Sequence, residues 1–253
     1  MQEVTFDFRG KNYAVLGASS GIGRQVALEL SRAGAGVLAM ARSEERLAEL
    51  KSQCPGTVET AHLDVTSAPD DEWDSILAGF ANRQGKLNGA VYTAGITGCT
   101  PLKMYDKELA QDMMDISLRG GIQLIHHVSK KKYSAAGASY VIFSSVAAYE
   151  GPKGILFYAA AKGAVQSAVR VMSKEISHRD QRINSISPGW IKTEMTASYL
   201  ESVGANLEDA HAAPLGIGTP EDVSGLVLFL LSDRAGWITG QDFIVDGGYL
   251  STR

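Results

Sequence analysis

Gly17-Ala18-Ser19-Ser20-Gly21-Ile22-Gly23 follows the apolar run Asn12–Leu16 and opens the helical pattern Ile22–Arg32. A strand-to-helix turn of this kind offers free backbone N–H groups at the positive end of a helix dipole. Glycine lets a pyrophosphate come close to such a backbone. The spacing is GxxxGxG, and no Lys-Ser/Thr ending of a Walker loop follows. With its flanking strand and helix the turn reads as a dinucleotide-binding loop that involves Gly17, Ser19, Ser20, Gly21, Ile22 and Gly23. The same residues also spell G-x-S-x-G around Ser19. A hydrolase elbow there fails on position, because no earlier strand and loop exist to supply an oxyanion hole.

Working outward, six further short apolar runs recur: Val37–Met40, Val58–Leu63, Gly89–Thr93, Ser139–Phe143, Ile183–Ile186 and Phe243–Val245. Most are apolar on both faces, as strands of a covered parallel sheet are. Helical patterns lie between them at Ser43–Lys51, Asp70–Arg83, Leu109–Lys132, Ile155–His178 and Pro220–Leu231. Alternation of this kind predicts α/β architecture: a Rossmann-type, doubly wound parallel sheet of about seven strands with helices on both faces. No tract reads as a linker, so residues 1–253 are expected to form a single domain. The least regular stretch, about 193–218, is expected to be a substrate lid. At its end Thr219, Pro220 and Asp222 carry an N-cap, a first-turn proline and a capping-box acid. The following Leu226–Leu231 is apolar all round and is expected to be buried in the core or in a subunit contact.

Composition narrows the function classes. The 24 basic and 28 acidic residues give a net charge of −4, which excludes a polybasic nucleic-acid or membrane surface. No run approaches the roughly 18 apolar residues of a membrane span. Met1–Lys11 lacks an apolar stretch of signal-peptide length. Two cysteines, Cys54 and Cys99, cannot build a disulfide framework or a four-cysteine zinc site. The five histidines (His62, His126, His127, His178, His211) show no metal-ligand spacing, so no metal is expected. A cytoplasmic protein follows.

The second strand bears on the cofactor. A carboxylate about 20 residues past the glycine turn would bind the ribose 2′-hydroxyl of NAD. Here Met40-Ala41-Arg42-Ser43 has none, and Arg42 can pair with a 2′-phosphate. NADP(H) is therefore expected ahead of NAD(H).

Tyr158 and Lys162 stand four apart on one helical face. An adjacent ammonium favours a phenolate, which suits the tyrosine to exchanging a proton with a carbonyl or alcohol oxygen. Ser145, just after a strand, can hold the same oxygen. Alone, Tyr-x-x-x-Lys is a common surface pattern.

In order, Gly17–Gly23, Asp64-Val65, Ser144-Ser145, Tyr158-x-x-x-Lys162, Pro188-Gly189 and Asp246-Gly247-Gly248 resemble the short-chain dehydrogenases/reductases over almost the whole chain. Pro214-Leu215-Gly216, Thr219–Val223 and Ile238–Gly248 look most like the 3-oxoacyl-acyl-carrier-protein reductase type. The resemblance implies Tyr158 as general acid/base, Lys162 on its pKa and the nicotinamide ribose, and Ser145 on the substrate oxygen. It implies Asp64 and Val65 at the adenine, and Ala94 and Gly95 as small residues against the cofactor. Pro188, Gly189, Ile191 and Thr193 would wrap the nicotinamide end. It also implies a homotetramer or homodimer, built through Leu109–Lys132 with Ile155–His178 and through Pro220–Leu231 with the last strand.

Two positions depart from the family pattern. Tyr92-Thr93-Ala94-Gly95 stands where Asn-Asn-Ala-Gly is usual, which puts strand-bracing hydrogen bonds in doubt. Ser117 stands where an asparagine usually orders a proton-relay water, so a slower or differently tuned enzyme is expected. The substrate wall is expected from Ile96, Leu156, Phe157, Trp190 and the Met195–Leu207 segment, which fits an apolar acyl chain or ring. Lys130-Lys131-Lys132 is read first as a helix-end charge cluster. With Arg179 nearby it is also a candidate docking patch for an acyl-carrier protein. The function expected is hydride transfer between nicotinamide and a small-molecule carbonyl or secondary alcohol. Alternatives are a reductase of cyclic ketones, steroids or keto-sugars, and a cofactor-binding sensor or scaffold with little turnover.

Overall fold

The computed structural model describes residues 4–205 and 213–252. Seven strands, β1 (Asn12–Leu16), β2 (Gly36–Ala41), β3 (Val58–His62), β4 (Leu87–Tyr92), β5 (Ser134–Phe143), β6 (Arg182–Pro188) and β7 (Asp242–Val245), form one sheet. Its order is β3-β2-β1-β4-β5-β6-β7 and every pairing is parallel. The chain winds outward from β1 to β3, then returns to the other side of β1 for β4. The crevice between β1 and β4 is the switch point where open α/β sheets bind ligands.

Both faces are apolar because both are covered. Val15, Val37, Val91, Val141 and Ile186 point to one side. There they meet α1 (Gly21–Arg32), α2 (Glu44–Gln53) and α9 (Pro220–Leu231). Their strand neighbours Ala14, Leu38, Ala90, Tyr140 and Ile142 point to the other. Against them pack α3 (Asp70–Gln84), α5 (Gly120–Val128) and α7 (Leu156–Ile176). This is the period-two alternation of a strand with an apolar layer on each side. Each fully buried Leu or Phe in these layers contributes about 1.5–3 kcal/mol. The apolar α9 is accounted for within the chain, since Val223, Val227, Leu228, Leu230 and Leu231 are all buried in it.

The long helix expected over Leu109–Lys132 is a compound rod: α4 (Lys107–Met114), a π-helical turn Asp115–Arg119, then α5. It ends at Val128, so Lys130 and Lys132 lie beyond it and pair with Asp74 of α3 at 3.3 and 2.7 Å. Two helices were not expected: α6 (Ala147–Glu150) and α8 (Glu194–Ser202). The second falls inside the stretch read as irregular. Thr193 starts it by accepting a hydrogen bond from Thr196 N at 3.3 Å. Leu207 and His211 lie outside the described residues.

Candidate active site

Strand register brings the site together. Leu16 of β1 pairs with Met40 on one side and Tyr92 on the other. The chain therefore leaves the sheet at Gly17, Arg42 and Thr93 along one edge, and a cleft of about 390 Å³ opens there. Every position expected at a cofactor lines it, from the glycine turn through Arg42, Asp64, Val65, Ala94 and Gly95 to Pro188, Gly189, Ile191 and Thr193. Ser145, Tyr158 and Lys162 line its other wall. Ser117 is the exception, being fully buried behind that wall.

The glycine turn is shaped for close approach. Gly17 has φ +93°, and a Cβ there would lie 2.7 Å from Ala94 N. A Cβ on Gly23 would run into the Gly17 carbonyl oxygen and Thr93 Oγ1. Helices α2, α4 and α8 are capped by the side chains of Ser43, Asp106 and Thr193. Helix α1 is different. Ser20 makes no capping bond and the first turn holds no acid. Its first amides are left facing the cleft, which is the arrangement that receives a pyrophosphate. A dinucleotide therefore fits the residues present.

On the wall with Asp64, Arg42 is exposed and makes no side-chain hydrogen bond or ion pair among the described residues. Asp64 accepts from Thr66 N at 3.0 Å and Thr66 Oγ1 at 2.8 Å, and these bonds, the backbone one first, hold its carboxyl below the usual range. Sequence reasoning missed Arg46 and Glu194, which also line the cleft and pair at 2.6 Å between α2 and α8. Arg46 stands three residues after the Ser43 cap, and that spacing was the available signal for it.

On the wall with Ser145, Tyr158 and Lys162, Ser144 Oγ donates to the Lys162 carbonyl at 2.8 Å, pinning α7 to the end of β5. Lys162 Nζ donates to the Phe143 carbonyl at 2.9 Å and lies 5.7 Å from the Tyr158 ring centroid. Burial pushes the Lys162 pKa down to about 8. Burial raises the Tyr158 pKa above the ordinary phenol value, with a hydrogen bond to Ser145 pulling it back. The Lys162 ammonium, expected to lower the phenol, here gives one donor to a backbone carbonyl, and burial dominates the phenol. Ser145 Oγ accepts from Ala147 N at 3.2 Å, which orients it.

Around the site, Ile96 and Met195 line the cleft. Phe157 and Trp190, also expected in the wall, do not line it; Phe157 packs on Tyr105 at 5.3 Å, and Trp190 on Tyr199 at 6.2 Å. Leu156, expected in the wall, does not line the cleft and is 42% exposed.

Comparison with solved structures decides the family. A short-chain type dehydrogenase/reductase from Mycobacterium ulcerans superposes with a TM-score of 0.87 at 32% identity, covering 99% of this chain and 92% of that one. A family model described as enoyl-(acyl carrier protein) reductase matches residues 17–250.

The chain belongs to the short-chain dehydrogenase/reductase family.

Its relatives in this oxidoreductase family differ in the substrate they are named for. The 3-oxoacyl-(acyl-carrier-protein) reductase of Thermotoga maritima is 32% identical over 94% of this chain and 97% of its own length. The L-xylulose reductase of Mus musculus is 31% identical, over 96% and 98%.

Against the short-chain dehydrogenase/reductase pattern, both departures acquire structure. The bracing bonds that the missing amides put in doubt are present in another form. Thr93 Oγ1 donates to the carbonyls of Leu16 and Gly17 at 3.1 and 3.2 Å, tying β4 to the glycine turn. The Tyr92 hydroxyl donates to the Ile116 carbonyl. Ser117 Oγ is buried without a hydrogen-bond partner among the described residues.

Proposed function

We propose that the chain is an NADP(H)-dependent short-chain dehydrogenase/reductase that transfers a hydride between nicotinamide and a carbonyl or secondary alcohol. The observation that carries this reading is the convergence of Ser145, Tyr158 and Lys162 on one wall of a cleft that Arg42, unpaired among the described residues, also lines. The bound cofactor supplies the hydride. The Tyr158 hydroxyl gives its proton to the carbonyl oxygen, and the Ser145 hydroxyl donates a hydrogen bond to the same oxygen. An ammonium has three donors. One of those on Lys162 is held by Phe143, leaving the others for the ribose hydroxyls and the phenol. Arg42 takes the 2′-phosphate, and Ser43 and Arg46 flank it.

The substrate is an apolar ketone, with 3-oxoacyl compounds foremost. The apolar Ile96 and Met195 of the cleft wall favour this class over multiply charged sugars. It is taken as a free small molecule. Lys130 and Lys132 are paired with Asp74, and Arg179 donates to the carbonyls of Ser129 and Ser134. Only Lys131 of that basic run is left unpaired among the described residues, too little for a carrier-protein dock. Within the expected lid segment, 193–218, residues 206–212 lie outside the described residues, and the part that begins at Thr193 acts as the lid. Thr193 meets the glycine turn, with its Cγ2 3.3 Å from where a Gly21 Cβ would stand.

Self-association through α7, α9 and β7 would cover the exposed Val171, Trp237 and Ile244. A cytoplasmic location agrees with the two free cysteines. The test is oxidation of NADPH and NADH over 3-oxoacyl thioesters, cyclic ketones, quinones and keto-sugars. Turnover of apolar ketones with NADPH is expected. Tight NADPH binding without turnover on any carbonyl would favour a sensor.

A further inference from the structure

The π-helical turn between α4 and α5 leaves one carbonyl without its helical donor. Gly120 N–H donates to Asp115 O, five residues back, and not to Ile116 O, four back. The Ile116 carbonyl is met from outside the helix by the Tyr92 hydroxyl. Tyr92 is the last residue of β4 and only 1% exposed. Its ring lies across Gly120 and Gly121. A Cβ on Gly120 would run into the phenol oxygen and come within 2.9 Å of Val65 Cγ2. A Cβ on Gly121 would stand 3.4 Å from Tyr92 Cδ1. The glycine pair and the tyrosine are therefore a matched set. Either a larger residue at 120 or a different ring position would force the turn to rewind.

Ser117 is the residue this turn displays. It follows Ile116 directly, and its Oγ is fully buried and unpartnered. A Cβ on Gly95 would lie 3.8 Å from Ser117 Oγ and 3.6 Å from Lys162 Nζ, so both groups face the same point behind the cleft. An α-helical turn here would rotate each later side chain away from its present face. π turns inserted in α-helices recur at functional sites, where they re-aim side chains in this way.

We propose that Tyr92 is a positioning residue: its hydroxyl, by holding the Ile116 carbonyl, maintains the π turn that aims Ser117 Oγ at Lys162. The two departures from the family pattern are then one coupled unit. Tyr92 replaces a strand-end amide and sets the placement of the hydroxyl that replaces the relay amide. The kinetic part of this inference rests on the reductase reading; the structural part does not.

The test is a double-mutant cycle of Tyr92→Phe and Ser117→Ala, with amide hydrogen exchange over residues 115–121. Tyr92→Phe keeps the ring and removes only the donor. We expect faster exchange at Gly120 and a fall in kcat of about tenfold or more. NADPH affinity and binding stoichiometry should be unchanged, so that loss of folded protein is excluded. In the Ser117→Ala background, Tyr92→Phe should lower kcat no further. Unchanged exchange and kcat in Tyr92→Phe would overturn the proposal, as would effects that multiply. If the wild type turns over no carbonyl, the reductase reading fails and the exchange result alone decides whether Tyr92 holds the turn.

Discussion

Lys162 Nζ donates to the Phe143 carbonyl at 2.9 Å, while the Tyr158 ring centroid stands 5.7 Å away. The ammonium is buried with a carbonyl for company and no carboxylate within ion-pairing distance among the described residues. A charge so placed is held at a cost to folding. The helix and strand around it are fastened by Ser144, which reaches from β5 to the Lys162 carbonyl. The fold therefore holds the buried ammonium in place through backbone carbonyls at the end of β5 and on α7.

That cost has a pH signature. Burial lowers the Lys162 pKa from 10.5 to about 8, so between those values the unfolded chain binds more protons than the folded one. Stability contributed by this group therefore rises with pH across that window, and the full penalty, on the order of 3 kcal/mol, applies below about pH 8. Melting temperatures of the wild type and Lys162→Met from pH 7 to 10 will show it. The wild type should gain on the variant as pH rises. Parallel curves would show an unperturbed lysine.

On the proposed reading, Arg42 sets cofactor choice. Among the described residues it is unpaired, it is exposed in the cleft, and a charge-assisted bond to a phosphate is worth about 1.5–3 kcal/mol. Arg42→Ala should raise the KM for NADPH by about 10- to 100-fold with kcat nearly unchanged, and leave NADH kinetics almost as they were. Equal losses with both cofactors would place Arg42 elsewhere in binding.

Gly23→Ala and Gly225→Ala should act in opposite directions. A Cβ at Gly23 meets the Gly17 carbonyl and Thr93, whereas at Gly225 in α9 it meets nothing within 4 Å. The first should destabilise by about 1–3 kcal/mol and weaken NADPH binding. The second should stabilise by up to about 1 kcal/mol. Thermal denaturation and nucleotide titration measure both.

Ser117→Ala should separate stability from activity. Its hydroxyl is buried without a partner, so removing it should leave the melting temperature unchanged or raise it, by up to about 1 kcal/mol in stability. Turnover should fall nonetheless. A variant that loses stability and activity together would mean that Ser117 is a packing residue.

The fold was legible because its signals are local and periodic. Asn12–Leu16 and Ser139–Phe143 are apolar on both faces, and Thr219 to Asp222 carry their cap in consecutive letters. The glycine turn and Tyr158-x-x-x-Lys162 likewise keep their meaning at fixed spacing. What escaped depends on distant partners. The helix Glu194–Ser202 is short and rich in small residues, and its start rests on one threonine. The π turn at Asp115–Arg119 has no period of its own; it exists where Tyr92, some 24 residues earlier, meets Ile116. The direction of the Lys162 ammonium is set by a carbonyl on β5, which spacing along α7 cannot show.

The most direct test is Tyr158→Phe beside the wild type, with NADPH affinity and carbonyl-dependent NADPH oxidation measured on the same preparations. If Tyr158 gives the proton, the variant binds NADPH as tightly as the wild type and loses about a hundredfold or more of kcat on every ketone the wild type accepts. A variant that binds NADPH normally and reduces ketones at the wild-type rate would contradict the assignment of this cleft as the site of carbonyl reduction.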